Sequence, residues 1–461
     1  MYLTENQMNR KIVTIIVAVA CCCTMRAQDI PFALKASVYG GYILPMTKNL
    51  EAVATPPALG GEIAVEFPAM GNYAWQRYWG MPTVGVGFVG MDLGNKAVLG
   101  QAFALYPYLL VPIVKRDHFH LNYKIGAGIS LFTKTWNRCD TLSGVNAPTA
   151  NSAIGSILNV YLMTGVNFEF PIKNNVSITA DIGYNHMSNG SVLQPNSGLN
   201  MLHAQIGAKY TFEQCRHCKK PLPPADRFPY DFSLVFDVSG CVRELYYKDN
   251  RRYPVGTVQV SMTANVARWY AIGGALHAFY DGAFVQQGTR DGVSYTQHTY
   301  FGRYFIPDEN IANKFRAGVA IDNEFIIGRL TAYLQWGVYV YDPLRNANPE
   351  PHTKHGYNRP MFYTYDIDKE DGWNYFRLGL RCRVWNNLFV SVNLKTHLQK
   401  AEMLTFGIGY QIPFTRIREA GTRQRYIVYH PDKTRQRPEN QNQWQPMGGD
   451  SSEDPHFSIG R

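Results

Sequence analysis

Alternation of apolar and polar side chains, recurring along segment after segment with no long apolar run, most constrains what this chain can fold into. In ITADIGYNHMS, Ile178, Ala180, Ile182, Tyr184, His186 and Ser188 share one face of an extended strand, and Thr179, Asp181, Gly183 and Asn185 share the other, because successive strand side chains emerge on opposite sides. Beyond the N-terminal segment no run approaches the roughly 18 to 20 apolar residues that a spanning helix needs. Membrane embedding would therefore be by strands, closed so that no backbone polar group faces lipid. A mean hydropathy of -0.24 does not oppose this, since only alternate residues of a membrane strand meet lipid.

Eight strand-like segments precede the linker, at 33–45, 58–68, 82–92, 99–114, 119–136, 154–171, 175–188 and 199–212. Eight is the smallest common membrane barrel. Turn-rich pieces such as Thr55-Pro56-Pro57 and Asn137-Arg138-Cys139-Asp140 separate them, as antiparallel hairpins require. A soluble calyx is the alternative, but His203, Gln205, Gly207 and Lys209, opposite the apolar face, suit a polar lumen better than an apolar cavity.

A second set of similar segments runs from Tyr230 to Phe414 and echoes the first. PIKNNVSITADIGYNH followed by NMLHAQIGAKYTF aligns with RVWNNLFVSVNLKTH followed by EMLTFGIGYQIPF, matching Asn174-Asn175 with Asn386-Asn387, His186 with His397, Asn200 with Glu402 and Ile206-Gly207 with Ile408-Gly409. This reads as an internal duplication. The expected fold is all-β: an antiparallel transmembrane β-barrel, as two tandem eight-stranded units, with a single barrel of about sixteen strands as the alternative. The Pro-rich stretch at 213–228, EQCRHCKKPLPPADRF, behaves as a spacer and favours two.

Residues 1–27 read as a secretion signal, with Asn9-Arg10-Lys11, an apolar stretch from Ile12 and Ala27 before the inferred cut. Rival readings are a lipoprotein box at Ala18-Val19-Ala20-Cys21 and a signal anchor. The mature units are then 28–212, the linker 213–228, the second repeat 229–414 and a polar tail, 415–461, low in aliphatic residues and expected to be disordered. With three cysteines in the leader, Cys139, Cys215, Cys218, Cys241 and Cys382 remain. The spacing of Cys215 and Cys218 fits a local disulfide or idle thiols, since no thioredoxin-like setting surrounds them. The net charge of +10 comes without a basic stripe, which suits anionic lipid headgroups or ordinary solvated loops and does not point to nucleic acid.

The chemistry-bearing stretch is His186-Met187-Ser188-Asn189-Gly190, then Pro195-Asn196-Ser197-Gly198-Leu199-Asn200. An imidazole and a hydroxyl end an otherwise apolar face, two residues apart, where a strand enters a loop. Singly, His186 reads as an interfacial histidine and Ser188-Asn189-Gly190 as an ordinary turn; together they read as a base and a nucleophile. The pattern resembles the outer-membrane lipid A 3-O-deacylase (PagL-type) and acyloxyacyl hydrolase family, whose motif runs His-x-Ser-Asn-Gly/Ala, a short loop, then Pro-Asn-x-Gly-x-Glu. Every element matches except the last, where the family's acid is Asn200.

The resemblance implies that Ser188 is the nucleophile, His186 the general base, Asn200 the group that orients it, and Asn189, Gly190 and Asn196 the oxyanion-stabilising loop. It implies lipid A or lipopolysaccharide as substrate, in the outer membrane of a Gram-negative bacterium, with neither metal nor diffusible cofactor; a homodimer is compatible with it. Ser188 is expected to be a surface hydroxyl. In the second copy, strict alternation puts His397 with Asn393 and Lys395 on the polar face and Glu402 with Leu404, Phe406 and Ile408 on the apolar one, so that without a bulge the two cannot meet on the lipid side, and the copy reads as structural or as a binding surface. Other readings are a non-enzymatic porin or scaffold with a degenerate deacylase site, and a periplasm-anchored interaction protein that uses the tail.

Overall fold

The computed structural model describes residues 31–46, 48–54, 56–136, 151–173, 175–212, 231–245, 251–285, 310–343, 372–397, 401–418 and 424–428, with the pairs 289–290, 293–294, 299–300 and 303–304. The inferred leader, the linker with its two cysteines and most of the tail lie outside these residues. The first unit comprises β1 (Ala33–Leu44), β2 (Ala58–Pro68), β3 (Thr83–Asp92), β4 (Gln101–Arg116), β5 (Phe119–Phe132), β6 (Leu158–Lys173), β7 (Val176–Ser188) and β8 (Leu199–Thr211). Short helices α1 (Lys48–Val53) and α2 (Ala74–Tyr78) follow β1 and β2. The second unit comprises β9 (Phe232–Glu244), β10 (Arg252–Ala267), β11 (Tyr270–Asp281), β12 (Phe315–Ile327), β13 (Leu330–Tyr341), β14 (Asn374–Trp385), β15 (Leu388–Thr396) and β16 (Ala401–Arg418).

Each unit closes on itself. β8 returns to β1, from Leu44↔Asn200 to Ala33↔Thr211, and β16 returns to β9, from Phe406↔Gly240 to Phe414↔Phe232. The single sixteen-stranded barrel is thereby excluded. The closures are built alike: Phe32 stacks on Phe212 with centroids 4.6 Å apart, and Phe232 stacks on Phe414 at 4.8 Å. The Asn-Asn turns match too, since Thr211 N donates to Asn175 O at 2.8 Å and Gln411 N to Asn387 O at 2.9 Å.

The faces follow the alternation. Ile178, Ile182, Leu202 and Ile206 are exposed on the outside of the first barrel, with Ala180 partly so, as a lipid-facing wall requires. His203, Gln205 and Lys209 point inward with the charged groups. Lys35 lies between Asp181 and Glu62, Lys124 reaches Glu62 at 3.4 Å, and Lys209 pairs with Glu66 at 3.3 Å and with Glu169. Tyr106 donates to Glu62 and Tyr108 to Glu66. An eight-stranded barrel is just wide enough for its own side chains, and here these chains, most of them buried, interlock across the interior. In the second barrel Arg243 meets Asp281 at 2.6 Å, Arg381 meets Glu324 at 2.5 Å, and Arg377 meets Asp237 at 3.4 Å.

The polar tail expected from residue 415 holds paired backbone at its start. β16 continues to Arg418 and pairs with β17 (Gln424–Val428), Phe414↔Val428 to Arg418↔Gln424. The two barrels touch at the rim where β1 begins, here the terminal rim. There Trp79 donates its indole N–H to Ile326 O at 2.8 Å and packs edge-on against Trp269, and the Arg268 guanidinium lies 4.5 Å from the Tyr78 ring.

Lys35→Met should strip Glu62 and Asp181 of a cation they meet in a dry interior. Losing one partner of a buried pair costs about 3–5 kcal/mol, so the urea midpoint, read from the electrophoretic shift of folded barrels, should fall well below that of the parent. An unchanged midpoint would refute this account of the lumen.

Candidate active site

β7 delivers its last outward-facing residues to the opposite, loop rim. Tyr184, His186 and Ser188 follow Ile178 and Ile182 along one side of the strand, and β8 pairs with β7 so that His186 lies directly opposite Asn200. The register therefore creates the cluster. His186 Nε2 is 2.8 Å from Ser188 Oγ, and His186 Nδ1 is 2.6 Å from Asn200 Oδ1. Tyr184 Oη donates to the same Asn200 oxygen at 2.5 Å.

With the amide oxygen toward the ring, these contacts match one protonation pattern. Asn200 Oδ1 only accepts, so the proton of the neutral imidazole sits on Nδ1 and the Nε2 lone pair faces the Ser188 hydroxyl. In this orientation one amide oxygen accepts from both Tyr184 Oη and the Nδ1–H. Tyr184 thus adds a second hydrogen bond to the oxygen that meets Nδ1. Sequence reasoning put Tyr184 on this face but gave it no role; its position two residues before His186 was the available signal.

The 189–198 loop folds over the cluster. Gly190 and Ser191 both have positive φ, +62° and +72°. Asn189 N donates to Asn196 Oδ1 at 3.0 Å, and Asn189 Nδ2 donates to Ser156 Oγ and Leu193 O at 2.9 and 3.0 Å. Both amide hydrogens of Asn189 are engaged, while Asn196 Nδ2 is a donor buried without a hydrogen-bond partner. Residues 151–156, from the loop before β6, back this turn: Ser197 N donates to Ser152 O at 3.1 Å and Gly198 N to Ala153 O at 3.1 Å. Gly198, φ +74°, must lack a side chain, because a Cβ there would lie 2.8 Å from His186 Cε1.

This roof corrects one expectation. Ser188 is on the outward side of the barrel but only 5% exposed, so its hydroxyl is covered by the loop instead of lying open at the surface, and His186 is half-buried.

The second-copy residues need a larger correction. His397 and Glu402 are not on opposite faces: both are 2% exposed and lie inside the second barrel, with His397 Nε2 3.4 Å from Glu402 Oε2 and 2.8 Å from Tyr339 Oη. The cause is a bulge. Lys395 pairs with Met403 and Thr396 with Ala401, leaving Glu402 as the extra residue, turned inward, where it also meets Lys395 at 2.7 Å. His397 itself faces inward because it lies ten positions after Asn387, whereas His186 lies eleven positions after Asn175. One residue inverts a strand's faces.

The fold and site define a class: a membrane-type barrel with a serine, a histidine and an amide aligned outside the lumen, beneath the loop rim. Residues 59–209 match the family model of lipid A 3-O-deacylase (PagL), and residues 229–361 and 360–415 match that of the acyloxyacyl hydrolase C-terminal domain. The first barrel belongs to the lipid A 3-O-deacylase family and the second to that of the acyloxyacyl hydrolase C-terminal domain. No curated protein matches the chain. Among solved structures, the outer membrane enzyme PagL is 17% identical with a TM-score of 0.24, covering 38% of this chain and 97% of its own. Neisserial surface protein A is 11% identical with a TM-score of 0.25, covering 39% and 97%. Ail, the attachment invasion locus protein of Yersinia pestis, is 11% identical with a TM-score of 0.24, covering 40% and 100%.

Tyr184→Phe should remove one of the two hydrogen bonds to Asn200 Oδ1 and loosen its hold on the His186 Nδ1 proton. Labelling of Ser188 by a fluorophosphonate should slow by about tenfold, the order expected when a base is held in the wrong tautomer only part of the time. Equal labelling rates in the two proteins would show that Tyr184 does not orient the amide.

Proposed function

We propose that this chain is an outer-membrane serine esterase that removes an ester-linked acyl chain from lipid A or a related lipid. The observation that carries the reading is the continuous contact from Ser188 Oγ through His186 to Asn200. In the first step Ser188 Oγ attacks the ester carbonyl carbon as its proton passes to His186 Nε2. The carbonyl oxygen becomes an oxyanion, for which Asn196 Nδ2 is the unengaged donor. The tetrahedral intermediate collapses, the sugar oxygen leaves with the proton from His186, and the acyl group stays on Ser188. Water, deprotonated by His186, then releases the fatty acid and restores the hydroxyl.

The membrane position supports the substrate. Counted from a periplasmic N-terminus, odd strands run outward, so the end of β7 lies at the outer leaflet, where lipid A resides. An ester there reaches the barrel's outer wall without leaving the bilayer.

The amide in place of an acid sets the rate. Asn200 fixes the tautomer but carries no charge to stabilise the imidazolium, and disabling the acid of a serine triad costs about 10⁴ in turnover. Ser188→Ala should abolish acyl release from lipid A, followed by mass spectrometry, while leaving the barrel folded. Asn200→Glu should raise kcat by on the order of 10² or more. If Ser188→Ala leaves cellular lipid A unaltered relative to the parent and Asn200→Glu creates no hydrolysis, the chain is a scaffold and not an enzyme.

A further inference from the structure

The loop that roofs Ser188 is held from both sides, and one of those sides is the second barrel. Glu244, the last residue of β9, shares its outward face with Phe236 and Val238, which are exposed. A carboxylate at the rim of a lone barrel would be exposed as well, yet Glu244 is 2% exposed. Its Oε2 accepts from Gln194 N at 2.7 Å, and its own N–H donates to Ser191 O at 3.0 Å. Ser191 Oγ in turn donates to Ala401 O, at the start of β16, at 2.6 Å. Gly190 lies so close to Leu404 that a Cβ would come within 2.6 Å of that side chain.

These contacts run in an unbroken line to the nucleophile. Gln194 Oε1 accepts from Asn196 N at 3.1 Å, Asn196 Oδ1 accepts from Asn189 N, and Asn189 follows Ser188. The same line fixes Asn196, whose Nδ2 is the unengaged donor. Gly190 and Ser191 hold the left-handed backbone region, which costs a non-glycine residue about 1 kcal/mol or more unless its surroundings enforce it. The surroundings of Ser191 are largely the second barrel.

We propose that the second barrel is a built-in clamp on the catalytic loop, with Glu244 the positioning residue that sets Asn196 and Asn189 relative to Ser188. Resting on the esterase reading, this gives a role to a repeat whose own His397 and Glu402 are committed to its lumen. Glu244 touches no reacting atom; it acts through Gln194.

The test uses the full chain refolded in detergent, with Glu244→Ala and Glu244→Gln compared with the parent by lipid A hydrolysis and by hydrogen exchange of the 189–198 backbone. Glu244→Ala should lower kcat by about ten- to a hundredfold, as expected for misplaced transition-state donors, with KM within about twofold, and should speed exchange at Gln194. Glu244→Gln, which keeps an oxygen acceptor, should stay within about threefold of the parent on both measures. Parental kcat, or unchanged exchange, in Glu244→Ala overturns the clamp. If the parent hydrolyses nothing, the esterase reading fails by itself, and exchange decides the clamp: faster exchange in Glu244→Ala upholds it and equal exchange refutes it.

Discussion

The parity of each strand governs this molecule. Once a barrel closes, every backbone donor and acceptor in its wall is engaged with a neighbouring strand, and each side chain has only two destinations, lumen or exterior. Charged residues cannot be spread over the outer wall, so they gather inside and must neutralise one another there. Lys35, Lys124 and Lys209 meet Glu62, Glu66, Glu169 and Asp181 in the first barrel, and the arginines of the second meet Asp237, Asp281 and Glu324. The same rule puts His186 and Ser188 outside. Inside, they would have faced a packed ionic lattice with no room for a lipid ester.

Parity also explains why two copies of one hairpin differ so much. The histidine lies eleven positions after the last Asn of the turn in the first copy and ten in the second, and the side that each imidazole occupies follows from that spacing. The bulge at Glu402 then brings the acid to His397 inside the wall. Histidine and carboxylate are therefore joined in the second barrel but walled off from any lipid, while the first barrel has histidine and serine at the lipid side with an amide in the acid's place.

Much of this was legible in the sequence, because alternation is a local property. The eight strands of the first unit, the outward set from Ile178 to Ser188 and the approach of Asn200 to His186 all follow from period two and one hairpin. What escaped was set by single-residue irregularity or by distant chain. The bulge at Glu402 breaks the alternation without a glycine or proline to mark it. The continuation of β16 to Arg418 is polar and reads as tail. Ser152 and Ser156 reach the 189–198 loop from an earlier connection, and Glu244 and Ala401 reach it from another barrel; no periodicity connects these positions. The roof over Ser188 escaped for the same reason, since a turn such as Ser188-Asn189-Gly190 does not state which way its loop will lean.

The substitution of Asn200 for an acid gains a physical sense from where it lies. A carboxylate here would be an anion on the outer wall of a barrel, nearly buried and flanked by Tyr184 and apolar neighbours, and removing a charge from water without a full partner is expensive. A neutral imidazole supplies no such partner before a proton moves. The amide avoids that resting-state cost and still meets Nδ1, with Tyr184 on the same oxygen. What it gives up is confined to the moment of catalysis, when His186 is positive and only a dipole faces it. In the proposed mechanism such a site shifts the burden of rate onto the oxyanion side, where Asn189 and Asn196 are hydrogen-bonded and their loop meets the 151–156 backbone on one flank and the second barrel on the other.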